Sequence, residues 1–391
     1  MENKICVYAI CKNEEQFVDK WVESMSEADK IVVLDTGSTD NTVEKLKNLG
    51  VEVKIQVVDP WRFDVARNLS LEMVPEDCNI CVCTDLDEVL EPGWAKPLRE
   101  KWVEGKHSRG VYMYAWSHLP NGENGRVFKY DKIHSKEWIW QAPVHELLVK
   151  KSDGSNKYYY ENTLDLTKDM FLHHYPDRSK SRGSYLPLLE QRKAEMPNDY
   201  YGLIYLGHEY CYRGFYQKSI DQLNEILEKF SNTMNSVEKA SCYLFIGDCL
   251  TSLADQISDE QEKTKETEDR IKDLNQQAAT SYSRAINVDS SYREPYLNLA
   301  KVYIKMKDYQ YAEFIIKRGL NKSYRHYTWV ERDLSWSYEP WDLLCLASFY
   351  GGHIKDSIIY AATALTFEPD NPRLLNNLKL CLEKCNDKEL I

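Results

Sequence analysis

Between residues 199 and 369 one spacing of large and small side chains keeps returning, and it limits this chain more than any other feature. Leu203-x2-Leu206-Gly207-x2-Tyr210 is echoed by Tyr243-x2-Ile246-Gly247-x2-Leu250. Tyr296-x2-Leu299-Ala300-x2-Tyr303 repeats it, and Trp341-x2-Leu344 opens a fourth copy. Ala278-x3-Tyr282-x2-Ala285, Ala312 and Ala364 fit a second helix of the same unit, with Pro369 following the last. Residues three and four apart share a helix face, and the small ones let a partner helix approach. Stacked helical hairpins are the fold this pattern predicts.

The first 110 residues have a different period. KICVYAI, KIVVLD, VEVKIQVVD and NICVCTD are apolar, strand-like runs, and segments with helical spacing separate them. Such alternation predicts a largely parallel sheet with helices on both faces. The chain therefore divides into an α/β domain at 1–190 and an all-α repeat domain at 191–391. The segment 255–277 is charged with few apolar anchors, and is expected to be a solvated helix extension or flexible insert. The N-terminal stretch lacks the basic start and long apolar centre of a signal peptide, and no apolar run is long enough to span a membrane. Eleven cysteines without metal-like or disulfide-like spacing predict buried free thiols in a cytoplasmic protein. A net charge of −12 argues against a general nucleic-acid binder.

The stretch CVCTDLDEVLEPG sets a chemical problem. Asp85, Asp87 and Glu88 crowd the end of an apolar strand, where like charges repel and burial is costly. A divalent cation is the simplest compensating charge. Two carboxylates two residues apart at a strand-to-loop transition suit Mg2+ or Mn2+ shared with a substrate's phosphates. DTGSTD, residues 35–40, ends another such strand, and ligands of α/β sheets bind at these ends.

ICKNEE, VVLDTGSTDNT, FDVARNLSL and TDLDEVLEPG, in that order, resemble the family 2 glycosyltransferases of the GT-A fold, a Rossmann-like fold for nucleotide-diphospho-sugars. The resemblance covers roughly residues 4–190. It implies a UDP-sugar donor, with Asp35 at the base and Thr36, Gly37, Ser38 and Asp40 shaping that turn. Asp35 also suits the alternative role of capping its own turn. Arg67 would lie near the diphosphate, where its guanidinium fork suits phosphate oxygens; the bland alternative is a surface salt bridge. Asp85 and Asp87 would flank the metal.

GRVFKYDKIHSKEWIWQAPVHELL, residues 125–148, resembles the second half of these enzymes, with Arg126, Trp138, Trp140, His145 and Glu146 in family-like order. Glu146 is the expected general base, its pKa raised under a roof of Trp138 and Trp140 whose faces stack on the sugar. Core packing for both Trp residues and a salt bridge for Glu146 remain open, as does Asp87 or Glu88 as the base. In FLHHYPDRS, His174 of the His-Tyr pair is favoured as a third metal ligand; a hydrogen-bonded structural histidine is the alternative.

The repeats resemble tetratricopeptide units. Following a GT-A domain, they resemble the bacterial peptide S-glycosyltransferases of the sublancin type. That implies inverting transfer of a hexose, usually glucose, to a Cys or Ser side chain of a peptide or protein. A lipopolysaccharide or other saccharide acceptor is the runner-up, with the repeats serving a homodimer. A non-catalytic repeat-based binding protein and a nucleotidyltransferase are the other classes in play.

Overall fold

A computed structural model describes residues 2–389, except 120–121, 153–161, 178, 181–182, 261, 263, 327 and 329–330. The chain divides into two units between Met196 and Pro197. The expected boundary at 190 falls inside a helix of the first unit, α5 (Tyr185–Glu195).

The first unit opens with the expected alternation. β1 (Ile5–Cys11), β2 (Lys30–Asp35), β3 (Glu52–Ile55) and β4 (Ile80–Thr84) are joined through α1 (Val18–Met25), α2 (Thr42–Asn48) and α3 (Phe63–Leu71). These strands lie parallel in the order β3-β2-β1-β4. Every residue of β1 is buried, because alternate side chains enter cores on opposite faces. Ile5, Val7 and Ala9 pack with Trp21 and Met25 of α1, while Cys6 and Tyr8 pack with Trp138 and Trp140.

Beyond β4 the sheet changes character. β5 (Glu88–Leu90) and α4 (Ala95–Lys101) lead to β6 (Arg109–Ala115) and β7 (Val127–His134), an antiparallel hairpin whose second strand pairs antiparallel with β4. β8 (Trp138–Gln141) and β9 (Leu147–Lys150) form a separate two-stranded ribbon. β10 (Thr163–Asp165) and β11 (Phe171–His174) return parallel to β6, and β11 pairs antiparallel with β5. The nine-stranded sheet is thus mixed, since hairpin connections replace helical crossovers in its second half.

The second unit is all helix. Hairpins form from α6 (Tyr200–Tyr212) with α7 (Tyr216–Phe230), α8 (Ser236–Glu260) with α9 (Lys265–Val288), α10 (Glu294–Lys305) with α11 (Tyr309–Lys322), and α12 (Glu339–Tyr350) with α13 (Ile354–Phe367). α14 (Pro372–Glu389) packs on α13. Each recurring motif falls where its spacing placed it, on a first or second helix. A Cβ at Gly247 would overlap the Tyr282 ring of α9, so the repeat's small position marks the closest helix approach. The charged stretch extends α8 and α9, and Thr264 with Thr267 caps α9 in a reciprocal box. All eleven cysteines are free thiols. Among the described residues no helix is long and apolar enough to cross a membrane.

Candidate active site

β1 pairs with β2 on one side and β4 on the other, so the chain leaves their C-terminal ends in opposite directions and opens a crevice there. Asp35 closes β2, and both its oxygens are engaged. Oδ1 accepts from the backbone N–H groups of Gly37 and Ser38, each at 3.0 Å, while Oδ2 accepts from Ser38 Oγ and, at 3.4 Å, from Cys11 Sγ. The carboxylate shapes its own turn; the expected contact to a nucleotide base competes with four donors already in place. Gly37 has φ of +107°, a left-handed conformation that favours glycine. Thr36 is anchored to the Cys11 carbonyl at 3.0 Å, and Asp40 accepts from Thr42 and the Glu15 N–H. Burial opposes the ionisation of Asp40, but these hydrogen bonds prevail and lower its pKa.

The acids after β4 find their compensating charge within the protein. Arg67, from α3, grips Asp85 with both terminal nitrogens, at 3.0 and 3.2 Å, and its Nε donates to Glu146. Lys132, from β7, reaches Asp85 at 2.9 Å and Glu88 at 3.6 Å. Glu88 also accepts the Asp85 N–H at 2.8 Å. Burial alone would raise the pKa of Asp85, yet the two cations hold it well below the carboxylate range. Burial wins at Glu88, whose pKa is raised.

Several expectations change here. Asp85 is neutralised by Arg67 and Lys132, so it does not join Asp87 and His174 around one point. Among the described residues, the one trio of donor atoms close enough to share an ion is Glu313, His353 and Asp356 of the second unit. Glu146 does reach the site, but Arg67 overcomes the effect of burial and lowers its pKa, the reverse of what a tuned base needs. Trp138 and Trp140 provide no roof. They are 1% and 5% exposed, inside the core behind the sheet. Trp138 lies against the Arg109 guanidinium, and Trp140 donates to the Tyr8 hydroxyl at 2.8 Å. Their burial reflects the ribbon folding back onto the sheet, which local spacing does not reveal. Arg67 forms salt bridges, but they are buried inside the site, not on the surface as its bland alternative had them.

Asp87 and His174 do meet. Nε2 of His174 stands 3.3 Å from Asp87 Oδ2, and Nδ1 lies 3.0 Å from the Trp116 carbonyl. The Trp116 carbonyl and the Asp87 carboxylate both accept, so Nδ1 donates to the carbonyl and Nε2, when protonated, donates to Asp87; an ion bound between the two would take the place of that Nε2 proton. Burial opposes protonation of His174, but the Asp87 hydrogen bond outweighs it and raises the pKa. One hard oxygen and one imidazole nitrogen side by side fit a divalent ion. Arg126 stacks on Trp116 with its guanidinium carbon 4.8 Å from the ring centre, beside His174.

Two members of the site were not anticipated. Lys132 sits in KYDKIH, where a lysine at a core-facing strand position was the available signal. Lys180 donates to Glu14 and, at 3.0 Å, to the Lys12 carbonyl, tying the chain after β11 to the turn after β1. Burial lifts the pKa of Glu14 to about 7 against the pull of Lys180.

Residues 6–148 match the model of glycosyl transferase family 2. The first unit thus carries a family 2 glycosyl transferase domain. The chain is similar to the lipopolysaccharide core biosynthesis glycosyltransferase LpsC of Rhizobium meliloti (strain 1021), at 32% identity over 163 residues. That match takes in 39% of this chain and 59% of LpsC, so the chain spans less than two thirds of that relative. Among solved structures, the thermophilic TPR protein TTC0263 of Thermus thermophilus aligns with 50% of this chain and 88% of its own, at 18% identity and a TM-score of 0.37. MamA of Desulfovibrio magneticus RS-1 aligns with 49% of this chain and 89% of its own, at 13% identity and a TM-score of 0.37.

Proposed function

We propose that this protein is a metal-assisted glycosyltransferase that moves a hexose from a UDP-sugar to an acceptor nucleophile. The observation that carries this is the pairing of Asp87 with His174 at the strand end of a family 2 domain, with Arg67 buried against Asp85 two residues away. Asp87 and His174 would hold Mg2+ or Mn2+, which supplies positive charge to the departing diphosphate. Arg67 and Lys132 keep Asp85 ionised and fixed, so the floor of the site does not reorganise during transfer. Asp35 and Asn13 hold the 35–40 turn in one shape beside the crevice. The kinship with a lipopolysaccharide core enzyme favours a saccharide acceptor. A Cys or Ser side chain on a peptide is the second reading, favoured by the helical hairpins, whose stacked form suits extended chains.

The test is UDP release from a panel of UDP-sugars with Mn2+ or Mg2+, with and without EDTA, on wild type and Asp87→Ala. Release from one donor, abolished by EDTA and reduced at least a hundredfold by the substitution, is the expected result. Failure of every UDP-sugar to bind in calorimetry would overturn the donor assignment.

A further inference from the structure

The expected sugar-stacking surfaces, Trp138 and Trp140, are sealed in the core, which raises the question of which flat faces the crevice does present. Tyr175 immediately follows His174, and its N–H donates to the Asp87 carbonyl at 2.7 Å. The residue is 47% exposed, although it borders the charged strand end. It is also held in place. The ring lies on that of His118 with centroids 4.6 Å apart and planes 5° from parallel, and His118 in turn faces His173 at 5.3 Å.

Hydrogen bonds lock the backing rings. His173 Nε2 lies 3.0 Å from Glu91 Oε1, and a carboxylate accepts, so this nitrogen is the donor. Nδ1 of His173 then takes the hydrogen bond from His118 Nε2 at 3.1 Å. The result is a pre-ordered aromatic platform one residue from His174 and one hydrogen bond from Asp87. No packing role requires Tyr175 to be exposed.

We propose that Tyr175, backed by His118, is the acceptor platform and takes the apolar face of a saccharide ring. This rests on the transferase reading above. A pyranoside has a flat C–H face that covers an aromatic ring, and hydroxyls around its edge that need polar partners. Here Glu91 borders the platform, and its carboxylate is the polar partner available to them. Chain connectivity adds a positional argument. Asp87 and His174 would hold the metal and diphosphate, and the backbone bond from Tyr175 to Asp87 would keep a ring on Tyr175 within reach of the transferred sugar.

The experiment is saturation-transfer NMR on the full chain with UDP and Mg2+ present. The probes are methyl β-glycosides of glucose, galactose, mannose and heptose. Irradiating the protein's aromatic protons should saturate one face of a bound glycoside, H1, H3 and H5 of the glucoside for example. Tyr175→Ala should lose at least fivefold of that signal, and Tyr175→Phe should keep at least half, since the ring rather than the hydroxyl makes the surface. The wild-type face selectivity stands as evidence whether or not a variant folds. No signal from any glycoside on UDP-bound wild type overturns the proposal, as does an equal signal from Tyr175→Ala. So does displacement of the bound glycoside by a short Cys- or Ser-containing peptide that itself becomes saturated. If wild type fails to bind UDP, the transferase reading itself has failed, which is a separate outcome.

Discussion

Asp85 touches two cations and Glu146 touches one of them, so the charges at this site act as a unit rather than as separate ligands. Removing one cation leaves buried acid uncompensated, which costs on the order of 3 kcal/mol. Lys132→Met should therefore lower stability by about that amount in urea denaturation. Adding Glu88→Gln to it should recover part of the loss, because the two residues are coupled. Additive effects of the two changes would show that Lys132 and Glu88 do not share a charge balance. Glu146 poses a sharper question. If it orients Arg67, Glu146→Gln keeps a hydrogen-bond acceptor and should slow UDP release by about tenfold or less. A general base would lose about 10²–10⁴-fold on the same change. Comparing the rates of the Gln and Ala variants decides between the two roles.

At the scale of elements, β7 and the repeat helices make opposite kinds of prediction. His134 of β7 is fully buried and neutral, with Nε2 2.6 Å from the Tyr8 hydroxyl and Nδ1 2.8 Å from the Ser135 carbonyl. Burial lowers its pKa to about 4. The unfolded chain takes up that proton near pH 6.5, so stability should fall as pH drops from about 6.5 to 4, by up to roughly 3 kcal/mol from this group. His134→Gln should remove that part of the slope. The stability gap between wild type and variant should narrow as pH falls, and a constant gap across the window would count against it. In α8, Gly247→Ala gains about 1 kcal/mol of helix propensity but drives a methyl into Tyr282. Overpacking of this kind costs about 1–3 kcal/mol, so a net loss in Tm is expected.

Across the whole molecule the site belongs to the first unit, and the helical hairpins form the second. Calorimetry with UDP and Mn2+ should raise the unfolding temperature of the first unit's transition and leave that of the helical unit in place. Ligand at about 100 times its Kd adds roughly 2.7 kcal/mol to the state that binds it. Asp87→Ala should erase the shift. An equal shift of both transitions would mean that donor binding draws on the helical unit as well.

What could be seen in the sequence was whatever local spacing encodes. The repeat helices, the four parallel strands and the acidic strand end follow from periods of 3.6 and 2 and from turn residues, and each such signal lies within a few neighbouring positions. Asp87 and His174 could be named from motifs, although they lie far apart in the chain, because each stands at a strand end. Partnership was the part left to tertiary structure. That Arg67 and Lys132 converge on Asp85, that Trp138 and Trp140 turn inward, and that Tyr175 remains exposed on His118 all depend on the pairing of β4 with β7, of β8 with β9, and of β11 with β5 and β6. Burial and charge balance are sums over neighbours brought from distant positions. The pKa of Glu146 reverses for that reason: its sequence context predicts desolvation, and only the fold brings Arg67 beside it.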